Sequence, residues 1–292
     1  MQSQALFFLN RESLKGKEDI SDIQQYLAEN GLSTQVAYTG NPAEGADLIN
    51  RHRGRIDTII LAGGDGTIHK SLSSIVPTGL PLGIIPRGTA NDLARTLNIP
   101  TDSRAAASVI VTGRVHHIDL GMVNSTYFLN VAHIGLGAQI SLQLSKKTKR
   151  TWGVLGYPRS LITAYQRNHP LVARLVCNGQ MKLLRSIEIA VGNGKHYGGF
   201  LTIARGAKID DHLLNVFSLE PQGMFQLFGF ASALRRGDLD RLERTLTVQG
   251  RRIDITTRTP TPVVADGEFT TRTPAHFEVV ESILPVYVPK DY

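Results

Sequence analysis

The stretch Ile59-Ile60-Leu61-Ala62-Gly63-Gly64-Asp65-Gly66-Thr67-Ile68-His69-Lys70 decides the fold. An apolar run of strand character ends in three glycines wrapped around one aspartate. A hydroxyl residue follows, and then a helical spacing of apolar residues at Ile68, Leu72 and Ile75. Glycine lets backbone N–H groups approach a ligand closely. A helix start just beyond the turn favours an anion there. The segment therefore reads as strand, phosphate-sized turn and helix, and its alternative reading is a plain tight turn between the two elements.

A second segment repeats the pattern. Leu82-Gly83-Ile84-Ile85-Pro86 leads into Arg87-Gly88-Thr89-Ala90-Asn91-Asp92, followed by helical spacing at Leu93 and Leu97. Two such turns about 20 residues apart suit neighbouring parallel strands, whose carboxyl ends form the crevice where open α/β sheets bind ligands. Neither turn is a P-loop, which requires Gly-x-x-x-x-Gly-Lys-Ser/Thr, since His69 precedes Lys70. Gly135-Leu136-Gly137 and Gly192-Asn193-Gly194 lack the third glycine of a dinucleotide fingerprint.

Outward from these turns, strand and helix patterns alternate over the first 120 or so residues, the signature of a parallel sheet with helices on both faces. Strands are expected at Ala5 to Leu9, Thr34 to Tyr38, Thr58 to Ala62 and Leu82 to Ile85. Helices are expected around Ile20 to Leu27, from Asn41 through Pro42 to His52, and over Ser103 to Val111. Beyond residue 121 the texture changes to period-2 segments. Leu171 to Cys177 and Gln180 to Val191 flank Asn178-Gly179, a two-residue hairpin turn. Arg251 to Thr257, Pro262 to Ala265 and Phe277 to Val280 read as further strands, and Trp152 to Gln166 and Met224 to Leu234 as helices. The expected architecture is α/β plus β. A doubly wound N-terminal domain spans 1–121, and a mainly antiparallel domain spans 122–281.

Bulk properties narrow the class. The chain has 292 residues, 41% hydrophobic and 20% charged, which suits two globular domains. Cys177 is the single cysteine, so no intrachain disulfide forms and a reducing compartment is expected. No apolar run reaches the roughly 20 residues of a spanning helix, and no basic n-region or apolar h-region marks a signal peptide. The expected location is the cytoplasm. The formal net charge is +7, with basic clusters at Lys146-Lys147-Lys149-Arg150, Arg235-Arg236 and Arg251-Arg252. Such charge draws a protein to anionic surfaces, or it simply marks solvated faces. Aromatic residues do not interleave with it as stacking platforms for nucleic acid would, so no nucleic-acid partner is expected. His116-His117 and His133 lack metal-like spacing and read as structural.

Gly63-Gly64-Asp65-Gly66-Thr67 with Gly88-Thr89-Ala90-Asn91-Asp92 resembles the diacylglycerol kinase catalytic family, most closely the bacterial lipid kinases of the YegS type. Gly192-Asn193-Gly194-Lys195, Asp210-Asp211-His212-Leu213-Leu214 and Asp266-Gly267-Glu268 continue the resemblance in the family's order. It implies an NAD-kinase-like N-terminal domain, a C-terminal β-sandwich, and a return of 282–292 to the first domain. It also implies ATP- and Mg²⁺-dependent transfer of a phosphoryl group to a diacylglycerol-like or phosphatidylglycerol-like lipid. Partners would then be a lipid substrate met by peripheral contact at the inner face of the membrane. Homo-oligomerisation is left open.

Phosphoryl transfer asks chiefly for positioning and charge stabilisation. The nucleotide would be held by Thr39, Gly63, Gly64, Asp65, Gly66, Thr67, Ile68, His69, Thr89, Asn91 and Asp92. Asp65 would work with Mg·ATP, since a carboxylate beside a polyanion needs a bridging cation; its alternative is a helix cap. Glu268 matches the family's proton acceptor, although the same residues read as an ordinary Asp-Gly hairpin. Lys208, Asp211 and Leu213 match a structural Mg²⁺ site built from one carboxylate and two carbonyls, a hard-oxygen set.

The chain departs from the family in four places. His69-Lys70 replaces the usual Asn-Glu, His212 a usual glycine, and Asn215 a frequent aspartate. Lys70 either adds phosphate attraction or removes a needed contact. These departures keep two other readings open: a nucleotide- or lipid-sensing protein that has lost turnover, and an NAD kinase-like enzyme with a soluble acceptor.

Overall fold

The computed structural model describes residues 3–10, 20–39, 42–143, 170–194, 196–197, 201–202, 206–220 and 245–292. The chain divides into two compact units, Met1–Leu120 with Glu281–Tyr292, and Gly121–Val280.

The first unit alternates strand and helix. Its elements are β1 (Ser3–Asn10), α1 (Ile20–Glu29), β2 (Leu32–Thr39), α2 (Pro42–His52), β3 (Thr58–Gly63), α3 (Asp65–Ile75), β4 (Leu82–Pro86), α4 (Asp92–Thr96), α5 (Ser103–Thr112) and the start of β5 (Arg114–Val123). The sheet order is β2-β1-β3-β4, and all three pairings are parallel. The last strand of the chain continues the order, running parallel to β4 at Val286–Leu82. β3 and β4 are buried throughout, as expected of strands covered on both faces. α1 packs with α5 and α2 with α3. Phe7, Leu9, Ile60, Ala62 and Ile85 share one core with Ile23 and Leu27 of α1 and Ala107 and Ile110 of α5. Ile68, Leu72 and Ile75 anchor α3, all buried at one-turn spacing. Each contributes about 1.5–3 kcal/mol by leaving water.

The second unit is a sandwich. It contains β6 (Thr126–Phe128), β7 (Val131–Gly135), α6 (Leu136–Gln143), β8 (Leu171–Cys177), β9 (Gln180–Ser186), β10 (Glu188–Gly192), β11 (His196–Tyr197), β12 (Leu201–Thr202), β13 (Leu214–Leu219), β14 (Thr245–Gly250), β15 (Arg252–Thr257), β16 (Pro262–Ala265), β17 (Glu268–Arg272) and β18 (Ala275–Val288). One layer runs β14-β13-β10-β7-β16-β17, and the other continues from β18 through β15 and β8 to β9. Alternate residues of both layers meet in one core: Ala132, Ile134, Ile189, Val191, Leu214 and Val216 from the first, and Ala173, Leu175, Ile253, Ile255 and Phe277 from the second.

Two expectations are corrected here. The single strand expected over Gln180 to Val191 is two strands, β9 and β10, in different layers. The chain crosses between them at Ile187, whose N–H donates to Leu219 O. The fully buried Ser186 stabilises the crossing: its hydroxyl accepts Glu188 N–H and donates to a main-chain carbonyl there. The strand expected over Phe277 to Val280 is fourteen residues long. The helices expected over Trp152 to Gln166 and Met224 to Leu234, the start at Asn41, and the clusters at 146–150 and 235–236 lie outside the described residues.

Candidate active site

β3 and β4 are adjacent and in register, with Gly63 opposite Pro86. Arg87 N–H donates to Gly63 O at 3.0 Å, carrying the ladder one step past the strand ends. The two glycine turns therefore leave the sheet side by side. Gly64 and Gly88 touch backbone to backbone, closer than any side chain would permit.

The second turn is closed by Asn91, which adopts the left-handed conformation. Its Oδ1 accepts Gly88 N–H at 2.9 Å, and its Nδ2 donates to Gly88 O at 3.0 Å. The first turn is tied to the second by Asp65. Its two carboxylate oxygens accept the N–H groups of Asp92 and Leu93, each at 3.0 Å. Asp65 thus caps α4, not the helix that it opens. The side chain of Asp92 is buried and turned toward Arg95, 3.5 Å away.

Between the turns lies an open depression of about 310 Å³, lined by Gly64, Asp65, Gly66, Thr67, Lys70, Gly88 and Thr89. Among the described residues no side chain caps α3, and the first N–H groups of a helix lack acceptors within it. Backbone donors, two threonine hydroxyls and one ammonium thus border a space suited to a polyanion.

Of the residues expected to hold nucleotide, five line this space: Gly64, Asp65, Gly66, Thr67 and Thr89. Gly63 is the buried end of β3, Ile68 belongs to the core, and Asn91 and Asp92 shape the second turn. His69 is half-buried and outside the lining. Thr39 ends β2, and its side chain lies outside the described residues. Lys70, for which added phosphate attraction was one of two readings, joins the lining. Its spacing from Gly66 and Thr67 on a helix is the signal that could have placed it there.

In the second unit, one end of the β14-to-β17 layer gathers the other motifs. The Asp266 carboxylate accepts N–H groups from Leu129, Asn130 and Val131 at 2.7, 2.9 and 3.2 Å. Asp266 and Gly267 both have positive φ, as a tight hairpin turn requires. Asn193 donates from its backbone to Asn130 O and from its Nδ2 to Leu129 O. Glu268 opens β17 from this fixed hairpin, half-buried, opposite Ala265.

In the 208–213 loop, Asp211 accepts N–H from Lys208 and Leu213, each at 3.0 Å. One lone pair on each oxygen then stays available, so a single hard cation fits the donor chemistry. Among the described residues no group of three or more His, Cys, Asp or Glu is placed to hold a metal. His212 has φ +59°, a conformation that glycine adopts without strain. Asn215 is buried; its Oδ1 accepts from Gln249 at 2.6 Å, and its Nδ2 has no partner among the described residues. His133, which read as structural, is paired with buried Glu188 at 2.6 Å, and Glu188 also accepts Gly137 N–H at the start of α6.

The diacylglycerol kinase catalytic domain model matches residues 4–123, and that of the YegS C-terminal NAD kinase beta sandwich-like domain matches 130–288. A Staphylococcus aureus protein named diacylglycerol kinase is 28% identical over 237 residues, covering 80% of this chain and 75% of that protein. Its Staphylococcus epidermidis counterpart is 27% identical over the same length. A diacylglycerol kinase crystal structure from Bacillus anthracis superposes with a TM-score of 0.80 at 24% identity, over 98% of this chain and 97% of that one. Two domain models that together span nearly the whole chain place it in the diacylglycerol kinase catalytic family, as a lipid kinase of the YegS type.

Proposed function

We propose that this lipid kinase transfers the γ-phosphoryl group of ATP to a hydroxyl of a diacylglycerol-like or phosphatidylglycerol-like lipid, reached by peripheral contact at the inner face of the membrane. The observation that carries the reading is the apposition of the two glycine turns around a space bordered by donors. Backbone N–H groups of Gly64 to Gly66, the hydroxyls of Thr67 and Thr89, and the Lys70 ammonium hold phosphates. Asp65 keeps the two turns together and offers its remaining lone pairs to the cation that accompanies ATP. Mg²⁺, when bound, neutralises charge that develops on the phosphates. Asp211, with the carbonyls of Lys208 and Leu213, is the candidate holder of a separate structural cation.

Glu268 accepts the proton of the attacking lipid hydroxyl. Its place on a hairpin pinned by Asp266 supports the role, because a base must be held to within a fraction of an ångström.

The test is transfer of labelled γ-phosphate across a lipid panel by wild-type protein and Glu268→Gln. Labelled lipid from the wild type, reduced about 100-fold or more in the variant at little-changed ATP affinity, is expected. Equal turnover by the variant removes Glu268 from the reaction. ATP binding without transfer to any lipid favours the second reading, a sensing protein, which the strained His212 and the orphaned Asn215 amide motivate.

A further inference from the structure

In the second unit, β9 pairs with β8 and, among the described residues, ends its layer as an edge strand. Leu183, Met181 and Val172 on this hairpin are 72, 59 and 54% exposed, the three most exposed large hydrophobic residues among the described residues. They are not scattered. Alternation along a strand puts Val172, Arg174 and Val176 on one face of β8 and Met181, Leu183 and Arg185 on the same face of β9. The register opposes Val172 to Arg185, Arg174 to Leu183 and Val176 to Met181. The opposite face carries Ala173, Leu175 and Cys177 into the sandwich core. The result is a checkerboard of aliphatic and guanidinium groups on an exposed edge hairpin.

The carboxylates beside it are already engaged. Asp254 of β15 lies opposite Val176 and bonds to His276 at 2.6 Å. Glu278 pairs with Arg252 at 3.7 Å. Among the described residues, neither makes a hydrogen bond or ion pair with Arg174 or Arg185.

We infer that this outer face of the β8–β9 hairpin docks on an anionic bilayer. The inference rests on the lipid-kinase reading, which requires the chain to meet a substrate held in a membrane. Aliphatic tips enter the interface between headgroups and acyl chains, and the arginine stems lie along them with their guanidinium groups among lipid phosphates. A second copy of the chain is the poorer occupant. Edge-to-edge pairing of two such faces sets like charges against each other, whereas an anionic surface complements them.

The test is co-sedimentation of the full chain with phosphatidylcholine vesicles, with and without phosphatidylglycerol. Wild-type protein is expected to partition onto the anionic vesicles and to be released by added salt. Arg174→Glu/Arg185→Glu is expected to weaken partition about thirtyfold, and Met181→Ser/Leu183→Ser about tenfold or more. All four positions are exposed, so unfolding transitions should not move. Arg53→Glu/Arg55→Glu, the same charge change on exposed residues of the other unit, should keep more of the binding than the hairpin variant.

Three results overturn the proposal: equal partition of wild type and hairpin variants, an equal loss in the Arg53/Arg55 control, or a dimer in sedimentation velocity that hairpin variants convert to monomer without vesicle binding. Transfer to a short-chain, water-soluble diacylglycerol separates the two readings. Hairpin variants should retain it. Wild-type protein that binds vesicles through this face yet phosphorylates no lipid ends the kinase reading and leaves the docking face standing.

Discussion

Gly64 and Gly88 exclude each other's side chains: a Cβ on Gly64 would lie 2.8 Å from Gly88 Cα, and one on Gly88 would lie 2.6 Å from Gly64 Cα. Neither backbone is at liberty to retreat. Arg87 is bonded to Gly63 O, and Asn91 grips Gly88 through both its N–H and its carbonyl. Gly88→Ala must therefore push the turns apart, at a cost of about 1–3 kcal/mol. The expected outcome is a lower Tm and loss of the ATP-induced rise in Tm, both read by thermal unfolding with and without nucleotide. A variant that ATP stabilises as fully as wild type would separate the turns from nucleotide binding.

Asp65 joins the same two turns from the other side, so its replacement acts on stability as well as chemistry. Asp65→Ala leaves the N–H groups of Asp92 and Leu93 without their acceptor. Loss of such a cap costs about 0.5–2 kcal/mol. The expected result in chemical denaturation is a lower midpoint with an unchanged slope, and in the transfer assay an abolished turnover. Asp65→Asn retains one acceptor oxygen and should recover part of the stability without the turnover. Recovery of both together would make Asp65 a structural residue only.

These two residues also mark what could be read from the chain and what could not. Gly63 to Thr67 announces a strand, a turn and a helix because each signal is local: an apolar run, a glycine cluster, and apolar residues one turn apart. The partner of Asp65 is 27 residues away in sequence, and nothing in the spacing says that its carboxylate turns to α4 instead of α3. Asp266 is a similar case. The Asp-Gly pair gives the hairpin, but the three N–H groups that its carboxylate collects come from the bend between β6 and β7 and the first residue of β7, 135 and more residues earlier. The break at Ile187 was hidden because period-2 alternation continues through it, and a strand that changes layers keeps the same pattern on both sides. Lys70 was visible as a departure from the family. Its place in the depression depends on which face of α3 looks outward, and that is fixed by the burial of Ile68, Leu72 and Ile75.

Lys70 sits one helical turn beyond Gly66 and Thr67, bordering the depression. An ammonium there strengthens binding of a triphosphate by a charge-assisted contact, worth about 1.5–3 kcal/mol. Lys70→Met is expected to weaken ATP affinity about tenfold to a hundredfold, and Lys70→Arg to restore much of it. Calorimetric titration with ATP and ADP at low and high salt checks this. A larger loss for ATP than for ADP places the ammonium on the terminal phosphate, and equal affinity of wild type and Lys70→Met excludes the contact.

Cys177 allows a prediction about pH that is independent of the reaction. Burial pushes its thiol above the ordinary value of 9.0, and the nearby Lys182 ammonium offsets part of that rise. Below about pH 9 both the folded and unfolded chains hold this proton, and Cys177 leaves stability independent of pH. Between 9.0 and the raised value the unfolded chain ionises first, so it binds fewer protons than the folded chain and stability falls as pH rises. The denaturation midpoint of wild type relative to Cys177→Ala should therefore stay constant through neutral pH and decline only in the alkaline range. In the folded protein the thiol should also resist a thiol-reactive reagent at pH 8 and react fully once the chain is unfolded. Rapid labelling of native protein would mean that the sandwich core around Ala173, Leu175 and Cys177 opens far more readily than its packing implies.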